Sequence, residues 1–323
     1  MKKYAFYIAI VAILLTITLV LVFNDKPGTI TGSEKNFAVS DTSGITKIRY
    51  VYNGDVLELS RNKSLWVVNN KYAAKMPLVN ITLKFLQQFD VISSVPKESI
   101  PMVIEKLNEK SLQVTIEESG EIVVQYRFCE IDTAPAKAYI IMEGSSKPYI
   151  AKLTGFDLPI LTLFSTNERM WRDRKIFTTP IEDMIMVGLA YPKQPGNSFA
   201  ISKVNDSFQI KQGDEVFKNN SKEIVENYLK GVSALNADRI GTERENIQYN
   251  DVKDVLPYAH LIIKNKDNRQ ETLKVYQVPD KSTPAKVNPD ILIGLVGSDT
   301  IPVLIKYIDF DPLLKLRGDF VGK

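Results

Sequence analysis

Val56–Val68 reads VLELSRNKSLWVV, and Ser198–Ile210 reads SFAISKVNDSFQI. The two stretches align without a gap. Leu57 falls on Phe199, Leu59 on Ile201, Trp66 on Phe208 and Val68 on Ile210. The matched residues fall at every second position, which is the period-two signature of strands with one buried face. The turn residues between the strands differ, so what repeats is the inward face. This pattern predicts a chain built from two copies of one β-rich unit.

The surrounding sequence extends the repeat. Ile45–Tyr52 is β-branched and aromatic and reads as a strand, followed by Asn53-Gly54-Asp55. Asn-Gly accepts the positive φ angles of a tight hairpin turn. Pro77–Ile92 then changes to helical spacing, with Val79, Leu83 and Leu86 on one stripe and Ile81, Phe85 and Phe89 beside it. In the second copy Ile224, Tyr228, Val232 and Leu235 form the stripe, and Ser221 is placed to cap the helix. Later strands repeat in the same order. Leu112–Ile116 and Ile122–Phe128 correspond to His260–Ile263 and Thr272–Val278. Ala138–Met142 and Tyr149–Lys152 correspond to Ile291–Val296 and Val303–Lys306. Each copy ends in a basic segment, Trp171–Phe177 or Lys315–Phe320. The predicted fold class is α+β: two duplicated, mainly antiparallel units at 37–178 and 180–323, each with an amphipathic helix. Hairpin-length turns impose the antiparallel pairing.

Upstream of the repeat, Met1-Lys2-Lys3 precedes an uncharged apolar run from Tyr4 to Phe23. Such a run is about 30 Å long as a helix, the thickness of a bilayer core. Residues 1–24 are therefore expected to be a transmembrane anchor and 25–36 a polar linker. Lys2 and Lys3 would hold the N-terminus in the cytoplasm, which puts the remainder outside the inner membrane, in the periplasm. A cleaved signal peptide is the alternative, although its apolar region is ordinarily shorter.

Composition narrows the chemistry. The 323 residues hold 41 Lys and Arg against 38 Asp and Glu, with no basic block, so nucleic acid is not an expected partner. One Cys, Cys129, and one His, His260, exclude a disulfide framework and any multi-histidine or multi-cysteine metal site. No metal and no cofactor are expected. His260 alternates with Leu261 and Ile263 on a strand and lacks a nucleophile motif. Cys129 ends a strand and reads as a buried thiol. Ser60 and Lys63 have Ser-x-x-Lys spacing but straddle a turn. The paired acids Glu117 and Glu118, Glu130 and Asp132, and Asp309 and Asp311 invite a glycosidase reading, yet Asp309–Asp311 is matched in the first copy by Asp157 alone. Whether the chain is an enzyme stays open, with the balance against it. The sharpest local feature is Arg169-Met170-Trp171-Arg172-Asp173-Arg174-Lys175. Trp171, Arg172 and Arg174 could bind an anionic group, a sugar face or a partner carboxylate. Alternatively Trp171 closes the first core and the arginines pair locally.

Further segments carry a family resemblance: Phe37–Ile48, Trp66–Tyr72, Lys147–Ile150, Gly155-Phe156, Trp171–Arg174, Tyr191-Pro192 and Ser198-Phe199. Together with the N-terminal run they resemble membrane-anchored bacterial proteins carrying domain of unknown function 4340, over most of residues 37–200. The resemblance implies a Gram-negative envelope location and an accessory role beside gliding-type ABC transporter components. It implies no catalytic residues. The expected function is a single-pass envelope protein whose periplasmic part is a non-enzymatic binding or scaffold module. The alternatives are an envelope hydrolase acting on glycan or lipid, and a lipid or glycan carrier.

Overall fold

The computed structural model describes residues 37–321, apart from 89, 132–133, 135–136, 153–163, 206, 219 and 281–285. The expected anchor at 4–23, the linker at 25–36, Asp132 and Asp157 lie outside the described residues. Among the described residues, no helix is long and apolar enough to cross a membrane. The chain divides into two compact units at Arg172/Asp173, ahead of the 178/180 boundary read from the sequence.

The first unit runs β1 (Ile45–Tyr52), β2 (Asp55–Asn62), β3 (Leu65–Val68), β4 (Tyr72–Ala73), α1 (Met76–Gln87), β5 (Asp90–Ser94), α2 (Ile100–Glu109), β6 (Leu112–Glu118), β7 (Glu121–Glu130), β8 (Lys137–Met142), β9 (Tyr149–Lys152) and α3 (Glu168–Trp171). The second runs β10 (Met184–Ala190), β11 (Phe199–Val204), β12 (Ser207–Gln212), β13 (Glu215–Phe217), α4 (Lys222–Ala234), β14 (Arg239–Ile240), α5 (Tyr249–Val252), β15 (Ala259–Asn265), β16 (Gln270–Pro279), β17 (Val287–Val296), β18 (Val303–Lys306) and α6 (Tyr307–Phe310). Among the described residues each unit forms one nine-stranded antiparallel sheet. The orders are β4-β3-β2-β1-β6-β7-β8-β9-β5 and β13-β12-β11-β10-β15-β16-β17-β18-β14. The two orders are the same topology.

Register repeats as well as order. Leu59 pairs with Val68 across β2 and β3, and Ile201 with Ile210 across β11 and β12. Ile48 sits between Leu59 and Ile116, as Val187 sits between Ile201 and Ile263. The register slips between Ile45 and Lys47 in β1, and again between Met184 and Met186 in β10. A bulge inserts an extra residue and increases local twist, so both sheets are bent at the same place. The hairpin between β1 and β2 turns on Asn53 and Gly54, both at positive φ (50° and 85°).

One face of each sheet is sealed by the expected helix and by the ends of the unit. On α1, Val79, Thr82, Phe85 and Leu86 are buried, and the Thr82 hydroxyl is satisfied by donating to the Leu78 carbonyl at 3.0 Å. The helix stops at Gln87, short of the Ile92 expected from spacing. Val91 and Ile92 belong to β5, where β-branched residues fit a pleated strand; Val91 pairs with Ala151 on β9, and the register shifts between Val91 and Ser93. On α4, Ser221 caps as expected by accepting the Ile224 N–H, and Val225, Tyr228, Leu229 and Val232 are buried. Phe37 and Val39 close the first core, and Ile176 and Phe177 the second. The Val39 N–H donates to the Leu86 carbonyl at 2.9 Å and the Ile176 N–H to the Leu235 carbonyl at 3.1 Å. Ile176 and Phe177 therefore open the second unit, which is why the boundary precedes them. Full burial of side chains this size stabilises by roughly 1.5–3 kcal/mol each.

The cores differ by compensating exchanges. Ala138 pairs with Ala151 in the first sheet, and the equivalent pair in the second is Leu292 with Ile305. Two residues further along the strand the first sheet has Ile140 and the second Gly294. A Cβ on Gly294 would lie 2.9 Å from side-chain carbons of Ile305, Leu273 and Val303. Ile305, where the first sheet has Ala151, takes part of the volume that Ile140 fills in the first copy.

The opposite face of each sheet is covered over part of its width. There α2 packs Val103 and Leu107 on Cys129 and Ile141, and α5 packs Val252 near Tyr276, Val278, Ile293 and Leu295. The strands β1, β2 and β6 in one unit, and β10, β11 and β15 in the other, present their outer faces beyond these helices.

Candidate functional site

The basic and aromatic segment Arg169–Lys175 crosses the boundary between the two units, and its residues have different structural duties. Asn167 caps α3 by accepting the Arg169 N–H at 3.1 Å. The helix turns Trp171 inward, where it is fully buried, stacked on Tyr50 with ring centroids 5.4 Å apart. Its Nε1 donates to the Ser165 carbonyl at 2.7 Å. The Trp171 carbonyl accepts the N–H of Lys75, the residue that precedes α1, at 2.7 Å. In the second unit the Phe320 carbonyl accepts the N–H of Ser221, the cap of α4, at 2.9 Å. The Phe320 ring packs edge-on against Phe199 and Tyr228. Trp171 and Phe320 are thus equivalent: each is the aromatic that closes its unit onto the start of its helix.

Arg172 is 7 % exposed and lies with its guanidinium 3.5 Å from the centre of the Tyr72 ring. Its Nη1 is 3.8 Å from Glu168 Oε1, while Glu168 Oε2 accepts from Asn69 Nδ2 at 2.8 Å. Arg174 is exposed and belongs to the second unit, donating from Nη1 to the Asp238 carbonyl at 2.6 Å. Trp171 and Arg172 thus serve the first unit, and Arg174 the second. Trp171 has no face left for a sugar.

The residues weighed for catalysis lie on separate elements. Cys129 is buried in the small cluster under α2. Ser60 donates to Glu58 Oε1 at 2.9 Å, and Lys63 is in the turn at φ 56°. Glu117 faces Lys47 at 3.6 Å. Asp309 and Asp311 are exposed on α6 and the short turn of 3₁₀ helix after it, not on one face of an extended strand. Among the described residues no group of three His, Cys, Asp or Glu is placed to hold a metal ion.

A different surface stands out when the two outer faces are compared position by position. In the first sheet Arg49 is flanked by Glu58 on β2 and Thr115 on β6. In the second, the matching triplet is Gly188 between Ala200 on β11 and Ile262 on β15. The next row reads Ser60, Lys47, Glu117 in the first sheet and Ser202, Met186, Lys264 in the second. Lys47 reaches Glu58 at 3.5 Å and Glu117 at 3.6 Å, closing the first face with opposite charges. The second face replaces that network with a shallow apolar groove of about 270 Å³, lined by Met186, Gly188, Ala190, Ala200, Ile262 and Lys211 among others.

Gly188 gives this groove its floor. It does not occupy the positive-φ region, and the register slip in β10 lies elsewhere, between Met184 and Met186. A Cβ built on it would meet nothing closer than 3.6 Å. Neither the backbone nor the packing requires glycine here, in contrast to Gly294. A strand-interior glycine of this kind marks a place where a ligand or another backbone comes close.

The rim is basic. Lys211 pairs with Ala200, Lys264 with Met186, and Lys274 with His260. Among the described residues none of these three lysines forms an ion pair with a carboxylate. No acidic residue occupies the outward positions of β10, β11, β12, β15 and the described outward run of β16 from Gln270 to Tyr276. His260 is half-buried on this face, and its Nε2 has no hydrogen-bond partner among the described residues. Burial, followed by the positive charge of Lys274, holds its imidazole below the ordinary 6.5. The ring is thus neutral at pH 7, free to accept or donate one hydrogen bond.

Reading the sequence for catalytic motifs missed this surface, because its mark is the lack of side chains. Part of the signal was present in the opening alignment, where Glu58 falls on Ala200. Comparison with family models, with curated proteins and with solved structures returned no match.

Proposed function

We propose that the chain is a non-enzymatic binding module, and that the groove on the outer face of the second sheet is its binding surface. The observation that carries this reading is the divergence of two faces that share topology and register. The first is closed by the Lys47, Glu58 and Glu117 network, and the second is left open with glycine and alanine at its centre. The matching registers favour an internal duplication, after which one copy kept a surface for a partner. The setting we propose is the periplasmic side of the inner membrane. Residues 4–23 would be the single-pass anchor, residues 25–36 the linker, and the partner an envelope complex of the ABC type. The apolar run behind Lys2 and Lys3 supports the anchor, and the resemblance to domain of unknown function 4340 supports the complex.

The test uses full-length protein in its native membrane, with a photocrosslinking amino acid at Ala200 or, as a control, at the equivalent Glu58. Crosslinks to one membrane-complex subunit from position 200 and not from position 58 are expected. Crosslinking no stronger at 200 than at 58 would overturn the reading. Protease treatment of spheroplasts tests the setting: digestion of the region after residue 24 from outside is the expected result, and protection refutes the orientation.

A further inference from the structure

We infer that the groove takes a segment of a partner polypeptide with an apolar centre and acidic residues on both sides. This inference rests on the reading of the groove as a binding surface and adds the chemistry of its occupant. The floor row runs Lys211, Ala200, Gly188, Ile262 across four adjacent strands, β12 to β15. At about 4.8 Å per strand, Lys211 and Ile262 stand about 14 Å apart, and β16, which carries Lys274, is one strand further, about 19 Å from β12. Lys264 lies on β15 in the neighbouring row.

Three features of this layout select a polypeptide. The cations are spread around an apolar strip and not gathered at one point, so a single phosphate or carboxylate headgroup meets one of them and leaves the others alone. A chain carrying several carboxylates meets them together. The centre of the strip is recessed, since it belongs to glycine and alanine, and the larger Met186 and Ile262 beside it are half-buried, whereas insertion into a bilayer needs apolar side chains that project. At Gly188 the strand has no side chain, and a Cβ there would make only ordinary contacts at 3.6–3.9 Å with Met186, Phe199 and Ala200, so the backbone is available to the close approach of another chain. The lack of outward carboxylates on the same strands makes the whole face complementary to negative charge. The equivalent face of the first sheet answers its own cations internally through Glu58 and Glu117, which explains why it offers no such site.

The experiment titrates detergent-solubilised full-length protein into a fluorescein-labelled peptide with a Leu-Val-Leu centre flanked by paired Glu on each side, followed by anisotropy. One control peptide has Lys in place of Glu, and another has a Ser-Ser-Ser centre. Vesicles of phosphatidylglycerol and phosphatidylcholine are tested in parallel. The expected result is binding of the acidic apolar peptide alone, weakened about tenfold between 50 and 500 mM NaCl by screening of exposed pairs. The double variant Gly188→Arg, Ala200→Glu copies the first sheet and is expected to abolish binding. Lys211→Glu with Lys274→Glu changes only exposed side chains and is expected to weaken binding at least tenfold with an unchanged circular dichroism spectrum. Equal binding of the Lys peptide, or wild-type affinity in both variants, overturns the inference. Binding of vesicles without peptide overturns it in favour of a lipid surface. Failure of every probe while position 200 still crosslinks a partner refutes the acidic polypeptide and leaves the binding surface standing. Failure of both removes the groove itself.

Discussion

Replacing Tyr50 by Phe should make the first unit more stable, against the usual direction for a change in a packed core. The Tyr50 ring is completely buried, stacked on Trp171 at 5.4 Å and edge-on to Phe164 at 5.7 Å. Its hydroxyl is buried with no hydrogen-bond partner among the described residues. Burial, and to a smaller degree the nearby Tyr126, pushes its ionisation well above the ordinary tyrosine range, as expected for a hydroxyl stripped of water. An unsatisfied buried polar group costs about 1–3 kcal/mol. Phe keeps the ring and its stacking and deletes only that group, so a gain of about 1–2 kcal/mol is expected. The equivalent position in the second sheet is already apolar, Leu189. With a urea dependence of about 2 kcal/mol/M, the midpoint should rise by about 0.5–1 M. The chain has two tryptophans, Trp66 and Trp171, and both belong to the first unit, so tryptophan fluorescence follows that unit alone. A midpoint that falls in Tyr50→Phe would show that the hydroxyl is hydrogen-bonded in solution and that the argument fails.

The two strand glycines should respond oppositely to a methyl group. Gly294→Ala should destabilise the second unit by about 1–3 kcal/mol through overpacking, with part recovered when Ile305 is cut to Val, whereas Gly188→Ala should stay within about 0.5 kcal/mol or gain slightly; equal effects in calorimetry would refute the contrast. His260 is the sole histidine, so its C2 proton gives one resolved NMR titration, expected below 6.5. Because the unfolded chain then binds more protons, His260 costs stability as pH falls from about 6.5 through the lower folded value, and His260→Gln should flatten that part of a melting-temperature profile. A titration at or above 6.5 contradicts the burial argument. Trp171→Ala should cost the first unit about 3–5 kcal/mol, read by urea unfolding through circular dichroism; a cost under 1 kcal/mol would mean that Trp171 does not close that core.

The chain by itself determined the features that depend on neighbours in sequence. Asn53 and Gly54 adopt the positive φ angles their hairpin requires, and Ser221 caps its helix with its own hydroxyl. The alternation in Val56–Val68 and Ser198–Ile210 places the same residues inward, with Leu59 opposite Val68 and Ile201 opposite Ile210. These follow from local sterics and a period of two, which a linear reading captures. It did not capture α2, because Ile100–Glu109 has no counterpart of similar length to align with, or the end of α1 at Gln87, because the segment at Val91 and Ile92 is held as a strand only once β9 is beside it.

Tertiary structure decided the duties of the aromatic and basic residues. Trp171 beside four basic residues reads as a binding motif until Tyr50, Ser165 and Lys75 are seen to use its face, its N–H and its carbonyl. The groove, beyond the exchange of Glu58 for Ala200, needed the fold for a related reason. Gly188, Ala200 and Ile262 lie far apart along the chain and become one surface only when β11, β10 and β15 pair side by side. An empty space has no residue type of its own. It exists only relative to the neighbours that pairing brings around it, and its meaning came from the equivalent place in the other sheet, where Glu58, Arg49 and Thr115 fill it.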